Sequence, residues 1–191
     1  MYDVLVAKTI RVLAPRMGCA PGSLIYDKLW YGIYIFYINI IKTAGLLVIA
    51  YILGIVPYVL LFMLALGALR LYSFGVHVKS SFLCTLIGLA VTLSSTYISL
   101  HVNIPIALKI PILLACVVSF VAYAPAQTKK RPIPEKQRNP FRKKSLYLLT
   151  TVIFMVFIFY PFPAVSNLLF IAAVCQAVNI LPATYKILKE E

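Results

Sequence analysis

Acidic residues are scarce in this chain of 191 residues: five Asp and Glu stand against 18 Lys and Arg. None of the five lies inside a long apolar stretch. A protease built on two membrane-embedded aspartates is thereby excluded, because the only Asp residues are Asp3 and Asp27, both near the N-terminus. Proton-coupled carriers ordinarily keep acidic side chains within their membrane segments, and that class loses support for the same reason. Histidine is rarer still. With only His77 and His101 the chain holds no H-E-x-x-H zinc motif, and no G-x-S-x-G nucleophile elbow occurs. The four cysteines, Cys19, Cys84, Cys116 and Cys175, show no C-x-x-C spacing, so neither a disulfide framework nor a metal site is indicated. Cys116 and Cys175 sit in apolar runs, where a cysteine behaves as a small hydrophobe; with Cys19 they read as structural. No metal and no cofactor is implied.

What the chain has in abundance is apolar surface. Hydrophobic residues make up 62% and charged residues only 12%, far from the balance of a soluble domain. Residues 43–69, 82–100 and 145–185 carry no charge at all. A helix needs about 20 apolar residues to cross a hydrocarbon core of roughly 30 Å, and these runs supply them. The chain reads as an integral membrane protein, all-α and polytopic. Residues 1–28 do not read as a signal peptide, since Lys8, Arg11 and Arg16 interrupt any apolar core. A net charge of +13 on a soluble protein would suggest nucleic acid. Here the basic residues sit between apolar blocks, where they mark the cytoplasmic face and touch anionic lipid; nucleic acid is not an expected partner.

Three apolar blocks, 29–69, 82–124 and 145–185, are each long enough for two crossings. Each contains a turn signal: Gly54 to Pro57, His101 to Pro105, and Tyr160 to Pro163. The spacing predicts three helical hairpins in a single membrane domain, or about six transmembrane or partly re-entrant helices. Sixteen of the 18 basic residues fall in 1–28, 70–81, 125–144 and 186–191. Those segments, both termini included, are then cytoplasmic. The second leg of the first hairpin is short and Lys42 interrupts the first leg, so a re-entrant element stays open there. At helical spacing Leu5, Val6, Thr9, Ile10, Val12 and Leu13 share one side, with Lys8 and Arg11 opposite. That pattern suits an amphipathic interfacial helix, or equally a helix packed on the rest of the protein.

The first inter-hairpin loop, 70–81, runs Arg70-Leu-Tyr-Ser-Phe-Gly75-Val-His77-Val-Lys79-Ser80-Ser81 and meets Cys84 at the head of the second block. A cysteine becomes nucleophilic as a thiolate, which a base, a nearby cation or a helix N-terminus favours. His77 can take the proton; Lys79 and Arg70 bring positive charge. Ser80 or Ser81 is a good N-cap for the following helix, whose first unpaired N–H groups could hold an oxyanion. In one continuous helix His77 and Cys84 would be separated by roughly 10 Å along the axis. A dyad therefore requires the helix to begin after His77, near Ser80, and Gly75 suits the turn this demands. A histidine in a loop and a cysteine at a helix start are common, and the pair alone carries little weight.

Arg70, Gly75, His77 and Cys84 at this spacing, just ahead of a membrane helix, resemble the signature of the accessory gene regulator B (AgrB) family. Residues 123–134, Tyr-Ala-Pro-Ala-Gln-Thr-Lys-Lys-Arg-Pro-Ile-Pro, resemble that family's second cytoplasmic loop, and the likeness in length, charge pattern and hairpin order extends over nearly the whole chain. The resemblance implies a membrane cysteine endopeptidase of a Gram-positive-type bacterium. Its substrate is a signal-peptide precursor with an amphipathic N-terminal helix, a central segment containing a cysteine, and an acidic C-terminal tail. Cys84, with His77 as base, releases the tail through a thioester, and the precursor's cysteine closes a thiolactone. Arg70, Gly75, Ser80 and Ser81 support the site. The resemblance assigns the acidic tail to Lys129, Lys130 and Arg131; Arg142 to Lys144 read as membrane-boundary anchors. A homodimer fits the family, though the residues are silent on it. The rival reading is a scaffold or transporter that binds an acidic peptide through its basic loops, with Cys84 inert.

Overall fold

A computed structural model of the chain describes residues 2–18, 20, 22–75, 81–126 and 134–187, with the backbone alone described at Tyr2, Arg16, Ser81, Lys136 and Ile187. Among these residues the fold is all-helical and contains no sheet. In chain order the helices are α1 (Tyr2–Arg16), α2 (Leu24–Ile52), α3 (Val56–Ser73), α4 (Ser81–His101), α5 (Ile106–Tyr123), α6 (Glu135–Ile158), α7 (Pro163–Asn179) and α8 (Pro182–Ile187). Four of them, α2 to α5, are long and apolar enough to cross a membrane. The predicted turns fall between α2 and α3, α4 and α5, and α6 and α7.

The described residues form two compact units, Met1–Leu53 and Gly54–Glu191. In the first, α1 lies against α2. Val6, Ile10 and Ala14 recur at four-residue spacing and are buried against Tyr26, Trp30, Ile33, Tyr34 and Tyr37. The Thr9 and Tyr37 hydroxyls share a hydrogen bond of 2.8 Å. Val12 and Leu5, expected on the same face, remain exposed; the face that packs is narrower than the apolar pattern and centred on Val6 and Ile10. Ser23 caps α2 by accepting from the Tyr26 N–H. From there α2 runs unbroken through Lys42 for 29 residues, about 43 Å at helical rise.

The second unit is built around α7, which packs against α3, α4, α5 and α6. The reason lies in its sequence. Ser166, Ala172, Ala173 and Ala177 are small and buried, and small side chains let helix backbones approach closely where lipid provides no hydrophobic drive. The connection between α4 and α5 is short, yet α4 packs chiefly on α7 and α3, and α5 on α7 and α6. The α6–α7 pair is the hairpin the sequence predicts; α4 and α5 are instead spread along the central helix. On α4, Thr92, Ser95, Thr96 and Ser99 are buried at spacings of three and four residues, one helical face. The Thr96 and Ser99 hydroxyls donate back to the Thr92 and Thr96 carbonyls, so these two are met within their own helix.

Lys109 is 1% exposed. Its ammonium donates to Ser166 Oγ at 2.8 Å and lies 5.5 Å from the centre of the Tyr160 ring, while Ser166 Oγ donates to the Val156 carbonyl. Beside it Asn167 donates to the Val102 carbonyl at 2.7 Å. One end of the unit is thus closed by polar contacts among α4, α5, α6 and α7. The opposite end holds the C-termini of α3, α5 and α7 and the N-termini of α4 and α6, and there the polar loops depart.

Candidate functional site

The first turn of α4 carries Cys84, three residues after Ser81, as a half-buried free thiol. Exposed Phe82, Leu83, Leu86 and Ile87 surround it in sequence. His77 and Ser80 lie outside the described residues, as do Lys129, Lys130 and Arg131. Helix α4 is described from Ser81 onward, and the condition that a His77–Cys84 dyad sets on the chain before it falls outside the described residues. His101, the other histidine, donates from Nδ1 to the Tyr97 carbonyl at 3.0 Å and stacks on the Tyr97 ring. It sits 17 residues along α4 from Cys84, about 25 Å away on the helix axis.

The exit from α3 is the most constrained backbone on this face. Arg70 lies in the last turn of α3, where a cation complements the helix dipole, and its carbonyl accepts the Phe74 N–H at 3.0 Å. Phe74 then adopts φ 57°, ψ −135°, a region residues with a Cβ seldom occupy. Gly75 follows at φ 131°, and a Cβ there would stand 3.0 Å from Asn179 Nδ2 and 3.3 Å from its carbonyl oxygen. Glycine is required twice over, by the dihedral and by the close approach of α7. Sequence reasoning placed a turn at Gly75; the contact with α7 is new.

The loop from α3 and the segment after α5 leave from one point. Ala126 donates its N–H to the Ser73 carbonyl at 2.9 Å, and Phe74 and Ala126 form an isolated parallel bridge. Behind the bridge Gln176 donates to Ser73 Oγ at 2.6 Å and to the Phe74 carbonyl at 2.7 Å. In front, the Phe141 ring of α6 meets Phe74 edge-on at 5.5 Å and Tyr72 at 6.2 Å, and Lys144 lies over Tyr72 at 5.2 Å. Arg142 donates to the Val121 carbonyl in the last turn of α5, joining α6 to α5. The basic stretch expected as loop over 125–144 is helix from Glu135 onward; Glu135 in the first turn and the Lys, Arg and Gln that follow are good helix formers. Among the described residues no three His, Cys, Asp or Glu gather as metal ligands would.

Sequence reasoning missed Ser73, Phe74, Gln176, Asn179 and Phe141. The signal for Gln176 was present: a polar side chain inside an apolar run of membrane-spanning length.

Among the described residues this is a helical membrane protein with a free cysteine in the first turn of α4. The comparisons give the family. The family model of accessory gene regulator B matches residues 23–180, and the chain belongs to that family. It is 31% identical over 147 residues to the accessory gene regulator protein B of Staphylococcus aureus, covering 77% of this chain and 78% of that protein. A putative AgrB-like protein of Clostridium acetobutylicum is 26% identical over 161 residues, covering 84% and 77% respectively. One from Listeria innocua is 28% identical over 165 residues, covering 86% and 80%. No solved structure matches the chain.

Proposed function

We propose that this protein is a membrane cysteine endopeptidase that processes an autoinducing-peptide precursor. The observation that carries the reading is Cys84, a free thiol in the first turn of α4 in a chain of this family. In the proposed chemistry His77 removes the thiol proton and Cys84 Sγ attacks the carbonyl carbon at the end of the signal segment. The first N–H groups of α4 are suited to hold the oxyanion. The C–N bond breaks, the amine of the acidic tail leaves with the proton carried by His77, and a thioester remains on Cys84. The precursor's own cysteine then attacks that thioester and expels the Cys84 thiolate. One thioester replaces another, so the second step demands proximity more than driving force.

Lys129, Lys130 and Arg131 receive the acidic tail by charge. Their segment begins three residues beyond Ala126, whose bridge to Phe74 supports bringing tail recognition near the reacting bond. Arg142 and Lys144 already have contacts within the bundle, which favours the Lys129–Arg131 segment over 142–144 as the docking site. The chain sits in the cell membrane with its site and both termini on the cytoplasmic side, six crossings in all. The last two crossings are α7 and the apolar part of α6.

Tail release from an acidic-tailed precursor, measured in liposomes, tests this reading. Loss of release in both Cys84→Ala and His77→Ala, with precursor binding retained, is the expected result. Release undiminished in Cys84→Ala would end the proposal and leave the basic segments as a docking surface.

A further inference from the structure

At the root of both loops lies an uncharged side chain. Gln176 is fully buried in the last turn of α7. Both hydrogens of its carboxamide nitrogen are used, one on Ser73 Oγ and one on the Phe74 carbonyl. Ser73 Oγ in turn donates to the Leu69 carbonyl at 2.6 Å, and Asn179 Nδ2 approaches Gln176 Oε1 at 3.5 Å. A buried amide in an apolar helix is costly unless its polar atoms are met. A leucine of similar size would pack there without that cost, so the grip itself needs explaining. What Gln176 holds is the turn at Phe74, the one non-glycine residue at positive φ among the described residues.

We propose that Gln176 is a positioning residue for the reaction. It fixes the Ser73–Gly75 turn and thereby the origin of the segment that carries His77, two residues beyond Gly75. The inference rests on the reading of Cys84 and His77 as the reacting pair. Loss of the Gln176 donor removes one restraint from the Phe74 carbonyl and loosens the turn at the end of α3. Ala126 is bonded to the backbone carbonyl of Ser73 rather than to Gln176, so the start of the basic segment keeps its anchor. The effect therefore falls on the chemical step more than on precursor binding. α7 brings no charged group here; those nearby in sequence to the packed elements are Arg70 on α3 and Arg142, Lys143 and Lys144 on α6.

The experiment follows alkylation of Cys84 by iodoacetamide across pH, located by mass mapping, on the full chain in phosphatidylglycerol–phosphatidylcholine liposomes. Tail release is measured in parallel. Gln176→Leu is expected to move the midpoint of alkylation in the same direction as His77→Ala does, and to lower kcat about a hundredfold with KM little changed. Adding Phe74→Gly, which makes the turn comfortable without the grip, is expected to return part of the lost kcat. A wild-type midpoint in Gln176→Leu, with His77→Ala shifted, overturns the positioning role and leaves the dyad standing. A midpoint unmoved by His77→Ala sinks the dyad and this inference together. Should Gln176→Leu not fold, Ser73→Ala removes one of its two bonds; a smaller shift in the same direction supports the role, and no shift overturns it.

Discussion

At one end of the Gly54–Glu191 unit, Lys109, Ser166 and Asn167 bond to helix carbonyls and to one another; at the other, Ser73 and Gln176 bond to a chain about to leave the bundle. Both ends bury polar groups within an otherwise apolar protein, and both use α7 to do it. The difference is in what the bonds restrain. Around Lys109 they join regular helices to each other, and the Asn167 Oδ1 atom is even left without a partner among the described residues. Around Gln176 they restrain an irregular turn, with each donor hydrogen placed. Buried polarity at the closed end acts on assembly of the helices. At the loop end it acts on the geometry of a single turn.

Substitutions at the two ends should separate these roles. The largest effect is expected for Cys84→Ala, which should abolish tail release; a loss smaller than about hundredfold would count against a nucleophile there. Gly75→Ala comes next, with a loss in kcat of about tenfold to a hundredfold from the dihedral and the Asn179 contact. Its control is Gly67→Ala, inside α3 with open space at the Cβ position, which should leave kcat within about twofold and raise stability slightly. Equal losses in the two would remove the special role of the α3 exit. Phe141→Ala forfeits edge contacts worth about 0.5–1.5 kcal/mol and should lower kcat several-fold, read by the same release assay. The smallest catalytic effect is expected at the closed end. Lys109→Met leaves Ser166 bonded to Val156 and should lower Tm by about 2–4 °C, with kcat and KM unchanged. A large catalytic loss in Lys109→Met would erase the contrast between the ends.

The all-helical membrane class and the turn positions were legible in the sequence because charge and apolar length decide them; the count was not, since eight helices are described and four of them are long and apolar enough to cross. Cys84 early in a helix was legible too, from the charge-free run that opens at residue 82. The central place of α7 was not read, although Ala172, Ala173 and Ala177 announce a helix made for close contact. An amide such as Gln176 carries no charge and leaves no mark on the charge pattern. The Phe74 dihedral could not have been read at all. Phenylalanine has no preference for positive φ, and contacts far away in sequence, with Ala126, Phe141 and Gln176, surround it there. The helix over 135–144 was masked by its charge, which reads as loop to a hydropathy argument while its residues favour helix.

The bridge between Phe74 and Ala126 bears on how members of this family can be recombined. Two segments that hang from one knot do not behave as separable modules. A chimera that imports the loop after α3 from a relative, and keeps its own segment after α5, joins halves fitted to different neighbours. Exchange should succeed when three stretches travel together: the loop after α3, the segment after α5, and the closing turn of α7.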